Sequence, residues 1–178
     1  AKVAIKVGDS ITTDHIMPAG ARLKYRSNIP VYAKYVFEPC DHAFHDTALA
    51  NRDAGLANII LAGESYGQGS SREHAALCPM YLGVRAVIAK SIERIHHANL
   101  INFGIVPFSF VKEADYACIE TGDTLVFDGL AEAVAGDGRL RVRDTTQNTS
   151  FEIQTTLSTR QKAVLAAGGL MAFIAGQN

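Results

Sequence analysis

The sequence predicts an α/β fold: a parallel α/β unit carrying a smaller β appendage. Two observations carry this. Between Leu56 and Phe110 short apolar runs alternate with helical stretches, and beyond Thr124 short strands separated by Gly-rich or polar turns take over. Strand–helix–strand–helix–strand order marks parallel pairing through helical crossovers. A length of 178 residues leaves room for one domain with a real core, and 48% hydrophobic with 20% charged residues is an ordinary globular balance.

Ala1–Val7 alternates small or charged with apolar residues, as a short strand does, and Gly8-Asp9-Ser10 turns the chain. The polar run Ile11–Ile16 is read as extended, so adjacent Asp14 and His15 face opposite sides. From Ala21 to Asp53 periodicity is weak, which fits a lid or an excursion with short helices. Ala57–Ala62 is a buried strand, 71–82 a helix stopped by Gly83, and Arg85–Ala89 a second strand. A helix over Ser91–Phe103 closes at Gly104, and Ile105–Phe110 is a third strand in which Pro107 requires an edge or strand-start position. Thr124–Phe127, Leu140–Arg143 and Phe151–Gln154 form the appendage, and a final helix spans Ser158–Ala175 with Ser158 and Gln161 as a capping pair.

The most informative text is Tyr66-Gly67-Gln68-Gly69-Ser70-Ser71-Arg72-Glu73-His74. Two hydroxyls and a guanidinium stand at a predicted helix start, after glycines that permit a tight turn and close ligand approach. Free N–H groups and partial positive charge at such a start would hold a carboxylate together with the hydroxyls and Arg72, and would ease proton uptake by a serine. The same text also fits a capping box between Ser70 and Glu73. Asp14 is either a carboxylate that orients a cation or the cap of a turn. Arg26 is either a carboxylate fork or a solvated surface group. His42 with His45, and His96 with His97, lack a third metal ligand. No GxxxxGK[ST] text is present, so the Gly-rich loop is not a phosphate loop.

Cys40, Cys78 and Cys118 are sparse, odd in number and contain no CxxC pair, which argues against a metal or iron–sulfur site built from this chain and against a disulfide scaffold. A reducing, cytoplasmic compartment is expected. The formal net charge of -1 gives no global attraction to nucleic acid or anionic membrane, and no segment is long and apolar enough to span a bilayer. Residues 1–178 are read as one domain; the chain starts in mid-pattern without an initiator Met, as a piece of a longer protein would.

Gly8-Asp9-Ser10-Ile11-Thr12-Thr13-Asp14-His15-Ile16, the Tyr66–Leu77 run, Val87–His96 and Asn99–Pro107 together resemble the carboxy-terminal swivel domain of the aconitase family, in the family's order. The resemblance implies a three-layer β/β/α swivel fold and a hydro-lyase that interconverts citrate and isocitrate through cis-aconitate. It implies a [4Fe–4S] cluster held by partner domains, with no ligands in this chain. It also implies roles. Ser71 is the base that takes a proton from carbon, Ser70 and Arg72 contact substrate, Arg26 is a second carboxylate clamp, and Asp14 is an acid–base or supporting partner. The fragment alone is then expected to be inactive. The sequence departs from the family text at Met17-Pro18, where a serine is familiar, and at Ser27-Asn28-Ile29-Pro30, and Pro30–Asp53 does not align. The isopropylmalate isomerase small subunit and homoaconitase share the Gly-Ser-Ser-Arg text. An RNA-binding module of an aconitase relative is the alternative of another class, though no interleaving of aromatic and basic residues supports nucleic acid.

Overall fold

The structure, a computed structural model, describes residues 1–176. Four parallel strands, β1 (Lys2–Lys6), β2 (Asn58–Ala62), β3 (Val84–Ala89) and β4 (Val106–Phe110), lie side by side in sequence order. β5 (Leu125–Phe127), β6 (Arg139–Asp144) and β7 (Thr149–Gln154) form an antiparallel meander that joins through a β4–β7 pair. The sheet then curls until its ends meet. Val3 N–H donates to Asp123 O, Gly122 N–H to Val3 O and Leu125 N–H to Ala1 O, at 2.8–2.9 Å. Curling turns one sheet into two facing β layers, and closure removes the exposed edges that would invite aggregation.

Alternation along the strands builds two cores. Ile59, Leu61, Ala86 and Ile88 face the inside of the curled sheet, against Leu125, Val142, Phe151 and Ile153. Ile60, Ala62, Val87 and Ala89 face the helical layer. Both sides of β2 are covered, so all five of its residues are buried and its text is a continuous apolar run. β6 has one wet face and alternates exposed with buried. The helical layer consists of α3 (Phe44–Asp53), α4 (His74–Tyr81) and α5 (Arg94–Asn102), with α7 (Thr159–Ala166) and α8 (Leu170–Ala175) packed on α5. Asn58 is fully buried yet satisfied. Its Nδ2 donates to Ala48 O and Leu82 O at 2.8 Å, and its Oδ1 accepts from Asn51 at 2.8 Å, which ties α3 to the end of α4.

Several expected boundaries move. The helix expected over 71–82 begins at His74, and the one expected over Ser91–Phe103 begins at Arg94. Ile11–Ile16 is not extended: Thr13–Ile16 is one helical turn, α1, capped by Thr12. The weakly periodic stretch contains α2 (Ile29–Tyr32), two 3₁₀ turns and α3. The final helix is two helices broken at Gly168-Gly169. That break lets the backbone approach α5: a Cβ at Gly169 would stand 2.9 Å from Asn102 O. The short helix α6 (Leu130–Ala135) was not foreseen. Pro107 pairs with Val87 on one side and precedes the β7 pairing, which starts at Ser109, so its missing N–H costs no ladder bond.

Candidate functional site

The site lies beyond the carboxyl ends of β1, β2 and β3, where ligands of open parallel sheets gather. Three segments meet there and are stitched by backbone pairing. Thr13 N–H donates to Gln68 O (2.8 Å), Gly67 N–H to Ile11 O (2.8 Å), Tyr66 N–H to Ser91 O (3.0 Å) and Glu93 N–H to Tyr66 O (2.9 Å). Gly67 (φ +84) and Gly69 (φ +104) occupy left-handed conformations that side chains resist, and a Cβ at Gly67 would run into the His96 ring.

After Gly69 the chain stays out of the helix for four more residues. Glu73 precedes α4 in a helical conformation and no side chain caps the helix, so the Ser70–Glu73 box does not form. As a result the backbone N–H groups from Gly69 to His74 have no acceptor among the described residues. Six successive unpaired donors surround the exposed Ser70 and Ser71 side chains. Such an array stabilises negative charge, whether on a ligand carboxylate or on a serine oxygen.

Arg72 is held by Asp14. Its Nη1 and Nη2 donate to Asp14 Oδ1 and Oδ2 at 2.5 and 3.0 Å, and Nη1 also donates to Met17 O at 3.3 Å. A guanidinium has five N–H donors. These bonds leave the Nε–H and one Nη2–H, which share one edge of the group and fit the two oxygens of a second carboxylate. The hydrogen bond from Arg72 is the main cause that holds Asp14 below the ordinary carboxylate range; burial opposes it and the Ala19 N–H assists. His15 turns away, with its Nδ1 accepting from Thr12 N at 3.0 Å. Asp14 therefore orients the cation, and the helical turn, rather than strand alternation, separates it from His15.

Ser70 and Ser71 line a cavity of about 250 Å³ together with Thr13. Its other wall is the start of α5: Glu93, Arg94, His96 and Asn99. These α5 residues were absent from the sequence-derived site, where His96 counted only as half of a weak metal pair. The signal was present in the Glu93-Arg94-Ile95-His96 text, but only the Tyr66–Ile92 bridge brings it to the serines. The predicted group thus assembles in part. The serines line the cavity, while Arg72 and Asp14 form the neighbouring ion pair. Arg26 is exposed at the end of a 3₁₀ turn, and its backbone O lies 3.0 Å from His74 Nε2. Its guanidinium has no hydrogen-bond or ion-pair partner among the described residues.

Among the described residues no three His, Cys, Asp or Glu side chains gather to hold a metal. Cys78 is buried in α4, while Cys40 and Cys118 are exposed on other segments. The three thiols do not fit an iron–sulfur cluster.

A sequence model of the Aconitase C-terminal domain matches residues 12–113. A putative mitochondrial aconitate hydratase of Emericella nidulans is 35% identical over 95% of this chain and 24% of its own length. The mitochondrial homocitrate dehydratase of Saccharomyces cerevisiae is 32% identical over 97% of this chain and 25% of its own. The crystal structure of 3-isopropylmalate dehydratase from Methanocaldococcus jannaschii superimposes with a TM-score of 0.76 at 30% identity, covering 99% of this chain and 93% of that one. The chain spans about a quarter of the length of the curated relatives it matches. The expected cytoplasmic compartment is corrected by these relatives, several of which are mitochondrial aconitate hydratases. Sparse cysteines do not distinguish one compartment from another.

Proposed function

Since this chain belongs to the aconitase family, whose carboxy-terminal domain type it represents, we propose that it supplies the base and part of the carboxylate-binding wall of a hydro-lyase acting on citrate-type acids. The observation that carries this is the loop from Gly69 to His74: two exposed serines among six unpaired backbone donors, beside an arginine with one free fork edge. Citrate, isocitrate and cis-aconitate are the substrates this reading implies. Any iron–sulfur cluster belongs to partner domains outside these residues.

Ser71 Oγ, stabilised as the alkoxide by the loop N–H groups and the neighbouring guanidinium, takes the proton from carbon. The electron pair left behind forms the carbon–carbon double bond. The hydroxyl on the adjacent carbon leaves as water, taking its proton from an acid that a partner domain supplies at the opposite face of the substrate. Rehydration reverses each transfer. Ser70 supports the substrate next to the base. Arg72 holds a carboxylate through its Nε–Nη2 edge while Asp14 fixes the opposite edge. Arg26, unpaired and exposed, is the second carboxylate clamp.

Ser71→Ala in the complete protein tests this. Loss of a positioned base costs about 10²–10⁴-fold in kcat with little change in KM. Turnover within a few-fold of the parent, in a variant with unchanged stability, contradicts the assignment.

A further inference from the structure

The side chain packed beneath the start of the serine loop is His96. A Cβ built on Gly67 would collide with three of its atoms, Cγ, Cδ2 and Cβ, so His96 already fills the space that any larger residue at 67 would need. The Tyr66 ring, fully buried, meets the imidazole edge-on with centroids 5.2 Å apart. His96 is itself only 2% exposed, and neither ring nitrogen has a hydrogen-bond partner. Buried polar atoms are ordinarily satisfied. The imidazole therefore serves this place as an uncharged wedge and not as a donor or a base.

The approach to the serines rests on that wedge. Gly67 and Gln68 N–H both donate to Ile11 O, at 2.8 and 3.2 Å, Thr13 N–H donates to Gln68 O, and Tyr66 is tied to Ser91 and Glu93. From Gly69 to His74 the backbone donors find no acceptor among the described residues, so the serine segment takes its place from residues 66–68 and from the bond between Arg72 and Asp14. A shift at Gly67 passes directly to Ser70 and Ser71. An imidazolium could not stay beneath it: with no acceptor for either N–H, the buried charge would be unpaired. Tyr66 is the titratable group that faces the ring from the loop, and burial raises its phenol far above the ordinary value. His97, on the same helix, makes the ring still harder to protonate. Glu93 and Arg94 line the neighbouring cavity and do not bond to it.

We propose that His96 is a positioning residue for the serine loop: its neutral ring, wedged under Gly67, sets where Ser70, Ser71 and their free N–H groups stand, and protonating it releases the loop. The effect on turnover rests on the reading of Ser71 as the base. The release of the loop does not, since it is a property of this chain's own packing.

The experiment uses the complete protein. Hydrogen exchange at the amides of Thr13, Gly67 and Glu93, all bonded within the loop's anchorage, reads its opening constant once the intrinsic pH dependence of exchange is divided out. Burial holds the ring at about 4 in place. A released imidazole titrates near 6.5, so opening should rise about 20-fold between pH 7 and pH 5. His96→Phe, which keeps a ring and cannot titrate, should show no such rise, whereas His97→Gln should show the parent's. Loop amides that open no more at pH 5 than at pH 7, or a rise that survives His96→Phe, overturn the proposal. So do loop amides that exchange only in step with Ile60 and Val87 of the central strands, because release would then require global unfolding. Turnover of citrate gives the second readout. His96→Ala removes the wedge and should lower kcat about tenfold or more, with KM within about threefold of the parent, and His96→Phe should recover most of that loss. Equal losses from Ala and Phe, or a loss that falls on KM alone, overturn the positioning role. Should His96→Ala fail to fold, exchange in the parent and in His96→Phe decides the matter. If Ser71→Ala keeps its turnover while the exchange results hold, the base assignment fails and the placement of the loop by His96 stands.

Discussion

At the scale of single residues, His96 shows how position changes chemistry. Burial, assisted by the neighbouring His97, pushes its imidazole down to about 4. The unfolded chain would titrate near 6.5. A histidine held neutral in the fold contributes stability that is present above about 6.5 and is lost as the pH falls toward 4. At pH 5 this one group should cost about 2 kcal/mol relative to pH 7. Urea midpoints at pH 7 and pH 5 check it: His96→Gln, which cannot titrate, should lose less stability on acidification than the parent protein. An identical pH slope in the two would show that the ring already finds solvent. The Asp14–Arg72 ion pair and the loop that carries Ser70 and Ser71 come from text that is distinctive in the sequence. That His96 and Asn99 line the same cavity as the serines was not legible, because the bridge between residues 66 and 92 brings them there.

At the scale of elements, two similar texts end differently. Ser158 and Gln161 form the expected reciprocal cap: Ser158 N–H donates to Gln161 Oε1 at 2.8 Å and Gln161 N–H to Ser158 Oγ at 3.3 Å. Ser70 and Glu73 have the same spacing and form none. The difference is upstream, where the left-handed Gly67 and Gly69 and the Thr12–Gln68 bridge fix the path of the loop before any helix can start. Ser158→Ala should therefore cost about 1 kcal/mol of stability, whereas Ser70→Ala should leave the unfolding midpoint unchanged. A midpoint lowered equally by both would restore capping as the role of Ser70. The strands were legible almost to the residue, because both faces of β2, and most of β3, are covered and their text is continuously apolar. Helix starts were less legible, because each parallel strand hands over to a helix through a loop whose length local propensity does not set.

At the scale of the whole molecule, the alternation of strands and helices foretold the parallel unit, and the later strands foretold the appendage. Closure of the sheet was not foreseen, since the bonds that join Ala1 and Val3 to residues 122–125 link stretches with no text in common. Closure gives the chain an inner core and an outer one, and leaves the strand ends free to carry the site. The surface that results carries the serine loop with its free backbone N–H groups. On the proposed reading it offers the base and the anion donors, and partner domains outside these residues polarise the departing hydroxyl. The purified chain should accordingly show no hydratase turnover; measurable turnover in a preparation free of cluster-bearing protein would contradict the division of labour. The most direct test is a crystal structure of the complete protein with tricarballylate bound. Carboxylate oxygens should lie within hydrogen-bonding distance of Arg72 Nε and Nη2, with Ser71 Oγ against the carbon next to them. A ligand seated elsewhere, with Arg72 closed on Asp14 and both serines facing only solvent, would contradict the account.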